Sequence, residues 1–274
     1  MKILIASDME GATGVVDWDH VMPDRPDYPR FCRLLTGDIN AAVRGAFAGG
    51  ASAVAVTDGH NTSRNILIEE LDERASLNCG SPLTLLSMVH GVDQDVDGVL
   101  FIGYHARAGA QNAVLDHTWS DVRVANLWIN DRLFGEAALN AGVCGHFDAP
   151  VLMISGDQTA CAEARDMLGD LETAIVKRAV GRMAAECLPP AVTAELIERA
   201  AQRAVERLKA GNAPAPFKVE PPITLILELA KSEMADKAMT LPGARRVQDR
   251  KIEYTAGDML ETYHAFRALV GMAR

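Results

Sequence analysis

The sequence predicts an α/β protein, with a mostly parallel sheet, helices on both faces and a smaller α+β lobe at the C-terminal end. In the first half, short apolar runs alternate with helical patterns, which is typical of a parallel sheet with crossover helices. After about Lys177, a long amphipathic helix and a proline-rich connector break that alternation. We therefore predict a catalytic α/β domain over residues 1–180 and a smaller lobe over 181–274 that supports assembly.

The first three strands are predicted from continuous apolar runs, which indicate strands buried on both faces. These runs are Lys2–Ser7, Ser52–Thr57 and Gly98–Gly103. Apolar residues at helical spacing predict a helix from Tyr28 to Phe47, with Asp27 as its N-cap and Gly49–Gly50 as its end. A second helix is predicted over Leu83–Val89.

The middle of the chain continues the pattern. Val122–Ile129 is predicted as a strand, and the Asn130-Asp131 dipeptide after it favours a hairpin turn. A helix over Gly135–Ala141, a buried strand over Pro150–Ile154 and a helix over Thr159–Leu168 follow.

The last third has a different organisation. Apolar residues on one stripe predict an amphipathic helix over Val192–Leu208. Four prolines within Asn212–Pro222 indicate a connector. Strands are predicted over Ile223–Leu229 and Lys251–Tyr254, and Asp258 is predicted to cap a final helix.

Charge and composition exclude several functions. The chain has 27 Lys and Arg against 37 Asp and Glu, a net charge of −10, so it has no overall attraction to nucleic acids or anionic membranes. Five cysteines without a C-x-x-C pair indicate reduced thiols. With no apolar run of membrane-spanning length and no secretory pattern at the N-terminus, we expect a cytoplasmic protein.

Potential metal ligands follow three of the predicted strands. Asp8 and Glu10 follow the first strand, His60 the second and His105 the third, and Glu136 lies at the start of the helix after the hairpin. Because the carboxyl ends of parallel strands share one edge of a sheet, we expect these side chains to converge there. Two imidazoles and three carboxylates suit Zn²⁺, Mn²⁺ or Co²⁺. They are enough to hold two metal ions that share one carboxylate.

This pattern leaves the reaction open. A two-metal site serves both amide and phosphate-ester hydrolysis, although a phosphoesterase would favour more basic side chains than the conspicuous Arg107. A protein that binds metal and peptide without turnover is the third alternative. Asp58 either orients His60 or forms the Asp-Gly turn. Arg107 either binds a peptide carboxylate or forms a structural ion pair.

Five motifs surround these candidate residues. They are Ser7-Asp8-Met9-Glu10-Gly11, Asp58-Gly59-His60, Gly103-Tyr104-His105-Ala106-Arg107-Ala108, His117, and Asn130-Asp131 with Gly135-Glu136. Together they resemble the zinc-dependent D-aminopeptidase family of bacterial dipeptide-transport operons. The resemblance covers nearly the whole chain, including the segment 257–261 near its end.

The resemblance implies a dinuclear zinc centre with two zinc ions per subunit. Asp8 would bridge the two metals. Glu10 and His60 would complete one zinc site, and His105 and Glu136 would complete the other.

The resemblance also implies an activity and an assembly. His117 would be the catalytic residue, as nucleophile or as acid and base, with Asp116 beside it as the weaker candidate. The reaction would remove the N-terminal D-amino acid from short peptides such as D-Ala-D-Ala. The subunits would form a ring-shaped homodecamer.

Overall fold

The larger of two sheets in this computed structural model, which describes residues 1–81 and 85–274, contains seven strands. They are β1 (Lys2–Ser7), β2 (Ala53–Asp58), β3 (Ala75–Asn78), β4 (Gly98–Ile102), β7 (Val151–Asp157), β8 (Glu172–Gly181) and β9 (Ala184–Cys187). Their order is β3-β2-β1-β4-β7-β8-β9, and only the β8–β9 pair is antiparallel within this sheet.

The smaller sheet has five strands, all antiparallel, in the order β11-β12-β10-β5-β6. They are β5 (Val124–Ile129), β6 (Arg132–Leu133), β10 (Ile223–Leu229), β11 (Arg245–Gln248) and β12 (Lys251–Ala256). The predicted hairpin joins β5 to β6. Asn130 and Asp131 form its turn with φ of 46° and 62°, the left-handed pair that a two-residue hairpin needs.

The helices of the described residues are α1 (Tyr28–Ala48), α2 (Glu136–His146), α3 (Gln158–Leu168), α4 (Pro190–Lys209), α5 (Ser232–Ala238) and α6 (Met259–Met272). Helices α1 and α4 pack on one face of the larger sheet and α3 on the other, whereas α5 and α6 pack against β10 and β12 of the smaller sheet. Side chains of β1 alternate between two apolar cores. Ile3 and Ile5 pack with α1 and α4, whereas Leu4 and Ala6 belong to the core that contains α2, α6 and the smaller sheet. The predicted fold class is therefore confirmed.

Several elements differ from their predictions. Asp27 makes no side-chain capping bond; a proline in the first turn marks the start of α1 instead. Asp258 does cap α6, accepting a hydrogen bond from Glu261 N at 2.8 Å. Of the helix predicted over Leu83–Val89, residues 83 and 84 lie outside the described residues, and Ser87–Val89 forms a single 3₁₀ turn.

The division of the chain at residue 180 stays a prediction. Strands β5 and β6 pair within the smaller sheet, and β9 pairs within the larger one. Helix α4 packs against α1 and β8.

Across residues 1–81 and 85–274, no helix is both long and apolar enough to cross a membrane.

A buried polar network joins the segment after β1 to two helices. Asp38 in α1 accepts hydrogen bonds from the Thr13 backbone N–H at 2.8 Å and the Thr13 hydroxyl at 2.7 Å. That hydroxyl also lies 2.8 Å from the Thr193 hydroxyl of α4. Burial raises the pKa of Asp38 to about 6, against the opposing effect of the Thr13 hydrogen bonds.

We expect Asp38→Asn to change how stability depends on pH. Because the pKa of Asp38 is higher in the folded chain, the folded state binds the proton more tightly, and the contribution of Asp38 to the free energy of unfolding falls as pH rises from about 4 to 6. This fall is about 2–3 kcal/mol. Asn does not titrate, so the difference between variant and wild type should grow in favour of the variant over this range. Urea unfolding with chelator present measures it, and parallel pH profiles would contradict it.

Candidate metal centre

The strand register brings the predicted ligands to one edge of the larger sheet. Ser7, the last residue of β1, is paired with Asp58 of β2 and Ile102 of β4. The chain segments that follow these three strands therefore leave the sheet at the same level. Two backbone hydrogen bonds of 2.8 Å hold the first segment to the third, from Asp8 N to Ile102 O and from Gly11 N to Gly103 O.

The five predicted ligands lie in one buried cluster. His60 Nδ1 is 3.0 Å from Glu10 Oε2 and 3.3 Å from Asp8 Oδ1. His105 Nε2 is 3.0 Å from Glu136 Oε1 and 3.3 Å from Asp8 Oδ2. Asp8 therefore stands between two histidines, with a different oxygen facing each. Two groups of these side chains could each hold a metal ion: Asp8 with Glu10 and His60, and His105 with His117 and Glu136. The two groups lie side by side, since Asp8 Oδ2 is 3.3 Å from His105 Nε2.

The donor set fits bound cations. His60 Nε2 lies 2.9 Å from Val21 O, and His105 Nδ1 lies 2.9 Å from Ala106 O. Because a carbonyl oxygen only accepts, each of these ring nitrogens carries the proton, and the other nitrogen of a neutral ring directs a lone pair at carboxylates. Asp8 Oδ2, Glu10 Oε2 and His105 Nε2 are buried without a hydrogen-bond partner in the described chain. Cations held by these residues would satisfy those atoms.

Without a cation, protons would take its place. Burial opposes charge on both histidines, but Glu10 and Asp8 outweigh it at His60, and Glu136 and Asp8 outweigh it at His105. The pKa of each ring therefore lies well above its ordinary value. Burial also opposes charge on Asp8, yet protonated rings of His105 and His60 would hold its pKa well below the usual range. The cluster thus favours ionised carboxylates beside positive charge, as a divalent metal site does.

His117 joins the same cluster at longer distances. Its Nε2 is 3.6 Å from Glu136 Oε1 and 3.9 Å from Glu10 Oε1. Its Nδ1 lies 2.8 Å from Leu115 O, so Nδ1 is the donor and Nε2 of the neutral ring is free to accept a proton. The ring stacks on His105 with centroids 3.9 Å apart. This geometry holds a proton acceptor beside the ligand cluster.

A buried lysine supports the segment that carries Glu10. Lys177 of β8 is fully buried. Its ammonium donates to the carbonyl oxygens of Glu10 at 2.6 Å, Ala12 at 3.0 Å and Val15 at 2.6 Å. Three donors therefore meet three acceptors, which fixes the backbone on which Glu10 lies. Sequence reasoning missed this residue because a charged side chain interrupts the apolar run of β8.

Gly11 lets this segment approach the third strand end. A Cβ atom at Gly11 would lie 1.9 Å from Tyr104 O. We expect Gly11→Ala to displace the Glu10 backbone, to lower stability by about 2–4 kcal/mol, and to weaken metal binding. Thermal unfolding and metal titration measure both effects.

Gly37→Ala is the matched control. A Cβ atom at Gly37 meets nothing within 4 Å, and alanine favours a helix interior, so this variant should gain roughly 0.5–1 kcal/mol. Equal behaviour of the two variants would contradict the close approach at Gly11.

The cluster opens into a cavity of ≈ 720 Å³. Asp8, Glu10, His60, His117 and Glu136 line one part of it. The rest includes Trp18, Met22, Trp119, Arg123 and Arg267. A cavity of this size accommodates a short peptide or another small molecule. The Trp119 backbone N–H also donates to Glu136 Oε1 at 2.7 Å, a contact that the sequence did not reveal.

Three other sequence candidates have structural roles. Asp58 accepts hydrogen bonds from Asn65 and Ile66, and it fixes the loop after β2 without orienting the His60 ring. The Asp116 carboxylate accepts hydrogen bonds from Gly109 N and Arg182 Nε, and both of these donors lie outside the cluster.

Arg107 is also placed outside the main cavity. Its Nε lies 3.6 Å from Glu163 Oε1, and it lines a separate cavity of ≈ 530 Å³. The ion pair is therefore the interpretation that the geometry favours for this residue.

Known proteins share this architecture over the full chain. The family model for D-aminopeptidases, peptidase family M55, matches residues 1–268. A curated D-aminopeptidase from Bacillus subtilis (strain 168) is 34% identical over 274 residues, covering 100% of this chain and 98% of that protein. The solved structure of the Zn-dependent D-aminopeptidase DppA from Bacillus subtilis, described as a self-compartmentalizing protease, superposes with a TM-score of 0.94. The sequence identity is 34%, and the match covers 100% of this chain and 98% of that one. The chain therefore belongs to the D-aminopeptidase family.

Proposed function

We propose that the protein is a zinc-dependent aminopeptidase that removes the N-terminal D-amino acid from short peptides such as D-Ala-D-Ala. The observation that carries this proposal is the buried cluster of three carboxylates and two imidazoles, with His117 beside it, at the wall of one cavity. Full-length similarity to a Zn-dependent D-aminopeptidase supports zinc as the metal and D-peptides as the substrates.

We propose two zinc ions per subunit, held by Asp8, Glu10, His60, His105 and Glu136. The two oxygens of Asp8 face different histidines, each at 3.3 Å, which supports Asp8 as the shared ligand. Glu10 and His60 then belong to one ion, and His105 and Glu136 to the other. Two divalent cations would also supply four positive charges beside three buried carboxylates, which an apolar interior would not tolerate uncompensated.

When bound, zinc polarises a carbonyl and lowers the pKa of water. His117 Nε2 faces the same space and takes up a proton there. It then delivers this proton to the nitrogen of the leaving amine, a role for which an imidazole is suited near neutral pH. The hydrogen bond from Nδ1 to Leu115 O holds the required tautomer and orientation. The peptide's free amino group, once neutral, offers a lone pair that a bound zinc ion would accept, and this would favour cleavage at the N-terminal residue.

Amine release from D-Ala-D-Ala and L-Ala-L-Ala tests this function. Zinc-loaded protein should hydrolyse the D form, and chelated protein should not. Turnover of the L form alone would reject the D-specificity, and turnover unaffected by chelator would reject the metal mechanism. Hydrolysis of p-nitrophenyl phosphate without peptide turnover would favour a phosphoesterase, and metal binding without any turnover would favour a peptide-binding protein.

We also propose a ring-shaped homodecamer, with the smaller lobe over 181–274 supporting assembly. The DppA relative is a self-compartmentalizing protease that this chain matches over its full length. Exposed apolar side chains at Leu133, Val192 and Leu196 supply surface for contacts. A monomer by light scattering would contradict the assembly.

Five free cysteines support a reducing, cytoplasmic location.

A further inference from the structure

The wall of the cavity beside the metal centre has two chemically different parts. The proposed metal ligands line one part, and Arg123, Arg267 and Arg274 also line the cavity. A short peptide whose amino end lies at the metal centre presents its C-terminal carboxylate away from that centre, where an arginine can bind it. The three arginines differ in whether their guanidinium groups already make contacts within the protein.

Arg267 is held by the protein itself. Its Nη1 donates to Leu85 O at 2.7 Å. Its guanidinium carbon lies 5.9 Å from the ring centre of Trp119 and 5.6 Å from that of Tyr263. Arg267 therefore braces the wall and adds positive potential to it. Arg274 is exposed and is the last residue of the chain.

Arg123 combines a fixed backbone with an uncommitted side chain. Its N–H donates to Ser120 O at 3.2 Å, and its carbonyl accepts from Ala230 N at 2.8 Å. The guanidinium has no hydrogen-bond or ion-pair partner within residues 1–81 and 85–274, although Arg107, Arg182 and Arg250 are each paired with an acid. Asp121, which also lines the cavity, makes no ion pair with it there. A planar fork of donors on a fixed turn suits bidentate binding of a carboxylate.

The spacing from the ligand cluster fits a very short peptide. The Trp119 N–H contacts Glu136 at 2.7 Å, and Arg123 follows within a tight turn closed by bonds to Ser120 O. Such a turn advances about 1.5–2.0 Å per residue, so the Arg123 backbone lies within roughly 10 Å of the cluster. An extended peptide advances about 3.3–3.6 Å per residue. Two or three residues therefore span the gap.

We propose that Arg123 binds the C-terminal carboxylate of the substrate and thereby makes the enzyme selective for di- and tripeptides with a free C-terminus. This inference rests on the proposed function, since the peptide's amino end is taken to lie at the metal centre. Longer peptides and C-terminal amides lose the charge-assisted pair at Arg123 and bind more weakly.

The test uses metal-loaded protein and two probes that cannot be hydrolysed. Each is a D-Ala-D-Ala analogue with CH₂–NH in place of the amide, one ending in a carboxylate and one in a carboxamide. Calorimetry should show that wild type binds the carboxylate about 10- to 100-fold more tightly than the carboxamide. Arg123→Gln should reduce this preference below about threefold, and Arg123→Lys should keep part of it because a point charge remains. Arg199→Gln, which removes an exposed arginine of α4, is the control and should keep the full preference.

Different results separate this inference from the proposed function. Equal binding of the two probes by wild type, or an undiminished preference in Arg123→Gln, would overturn the assignment of Arg123. Loss of the preference in Arg267→Gln or Arg274→Gln but not in Arg123→Gln would overturn it as well. A wild type that prefers the carboxylate probe yet releases no amine from D-Ala-D-Ala would reject the proposed reaction while supporting carboxylate binding at Arg123.

Discussion

Replacing His117 by Ala is expected to lower kcat for D-Ala-D-Ala about 10²- to 10⁴-fold while leaving the metal content unchanged. The reduction is the usual contribution of a positioned acid–base group. His117 Nε2 stays 3.6 Å or more from the nearest carboxylate oxygens, whereas His60 and His105 each approach one to 3.0 Å. His117 Nε2 also falls in a group with His105 and Glu136 that could hold an ion, so its place beside the metals, and not among their ligands, is part of the proposal that this variant tests. Kinetics and zinc content measured on the same preparation check both parts.

Two further variants sharpen this experiment. His117→Gln retains a polar side chain of similar reach but cannot accept and release a proton near neutral pH, so it should be as impaired as His117→Ala. His146→Ala removes an exposed histidine at the end of α2 and should keep wild-type activity. Full activity in His117→Ala would end the proton-transfer role, and a loss of zinc would make His117 a ligand.

Replacing either of two histidines in the cluster is expected to remove metal and abolish turnover. His60 contacts Asp8 and Glu10, whereas His105 contacts Asp8 and Glu136. Each Ala variant should therefore lose a different zinc ion, because one nitrogen ligand and its fixed orientation disappear. We expect kcat/KM to fall by roughly 10³-fold or more in both, since chemistry that needs two metals fails without either.

Zinc content after dialysis distinguishes the possible outcomes. Wild type should retain two zinc ions per chain, and each histidine variant should retain one or none. Full zinc occupancy in His60→Ala or His105→Ala would refute that residue as a ligand. His20→Ala is a suitable control, because this histidine stacks on Phe31 and lies outside the cluster.

The convergence of the predicted ligands was predictable from the sequence for a topological reason. Parallel strands end at one edge, so polar residues after β1, β2 and β4 had to meet wherever those strands were neighbours. The apolar runs that form these strands are long enough to predict each strand without information from the rest of the chain. The hairpin turn at Asn130-Asp131 was predictable because its backbone conformation restricts residue choice.

Other features depended on partners that no sequence pattern identifies. Arg107 has a structural role because Glu163 lies beside it, and no local sequence pattern predicts that contact. Asp58 serves Asn65 and Ile66 instead of His60. Lys177 was not singled out, because the three carbonyl oxygens that accept from its buried ammonium lie more than 160 residues away in the sequence. Long-range pairing of this kind is fixed by tertiary packing and not by propensity.

Anomalous diffraction at the zinc edge, from crystals of the zinc-loaded protein, tests the central claim most directly. The account predicts two zinc peaks per chain about 3.5–4 Å apart. The two oxygens of Asp8 should each contact one ion, with Glu10 and His60 on the first and His105 and Glu136 on the second. A single peak, or two peaks that do not share Asp8, would contradict the dinuclear centre.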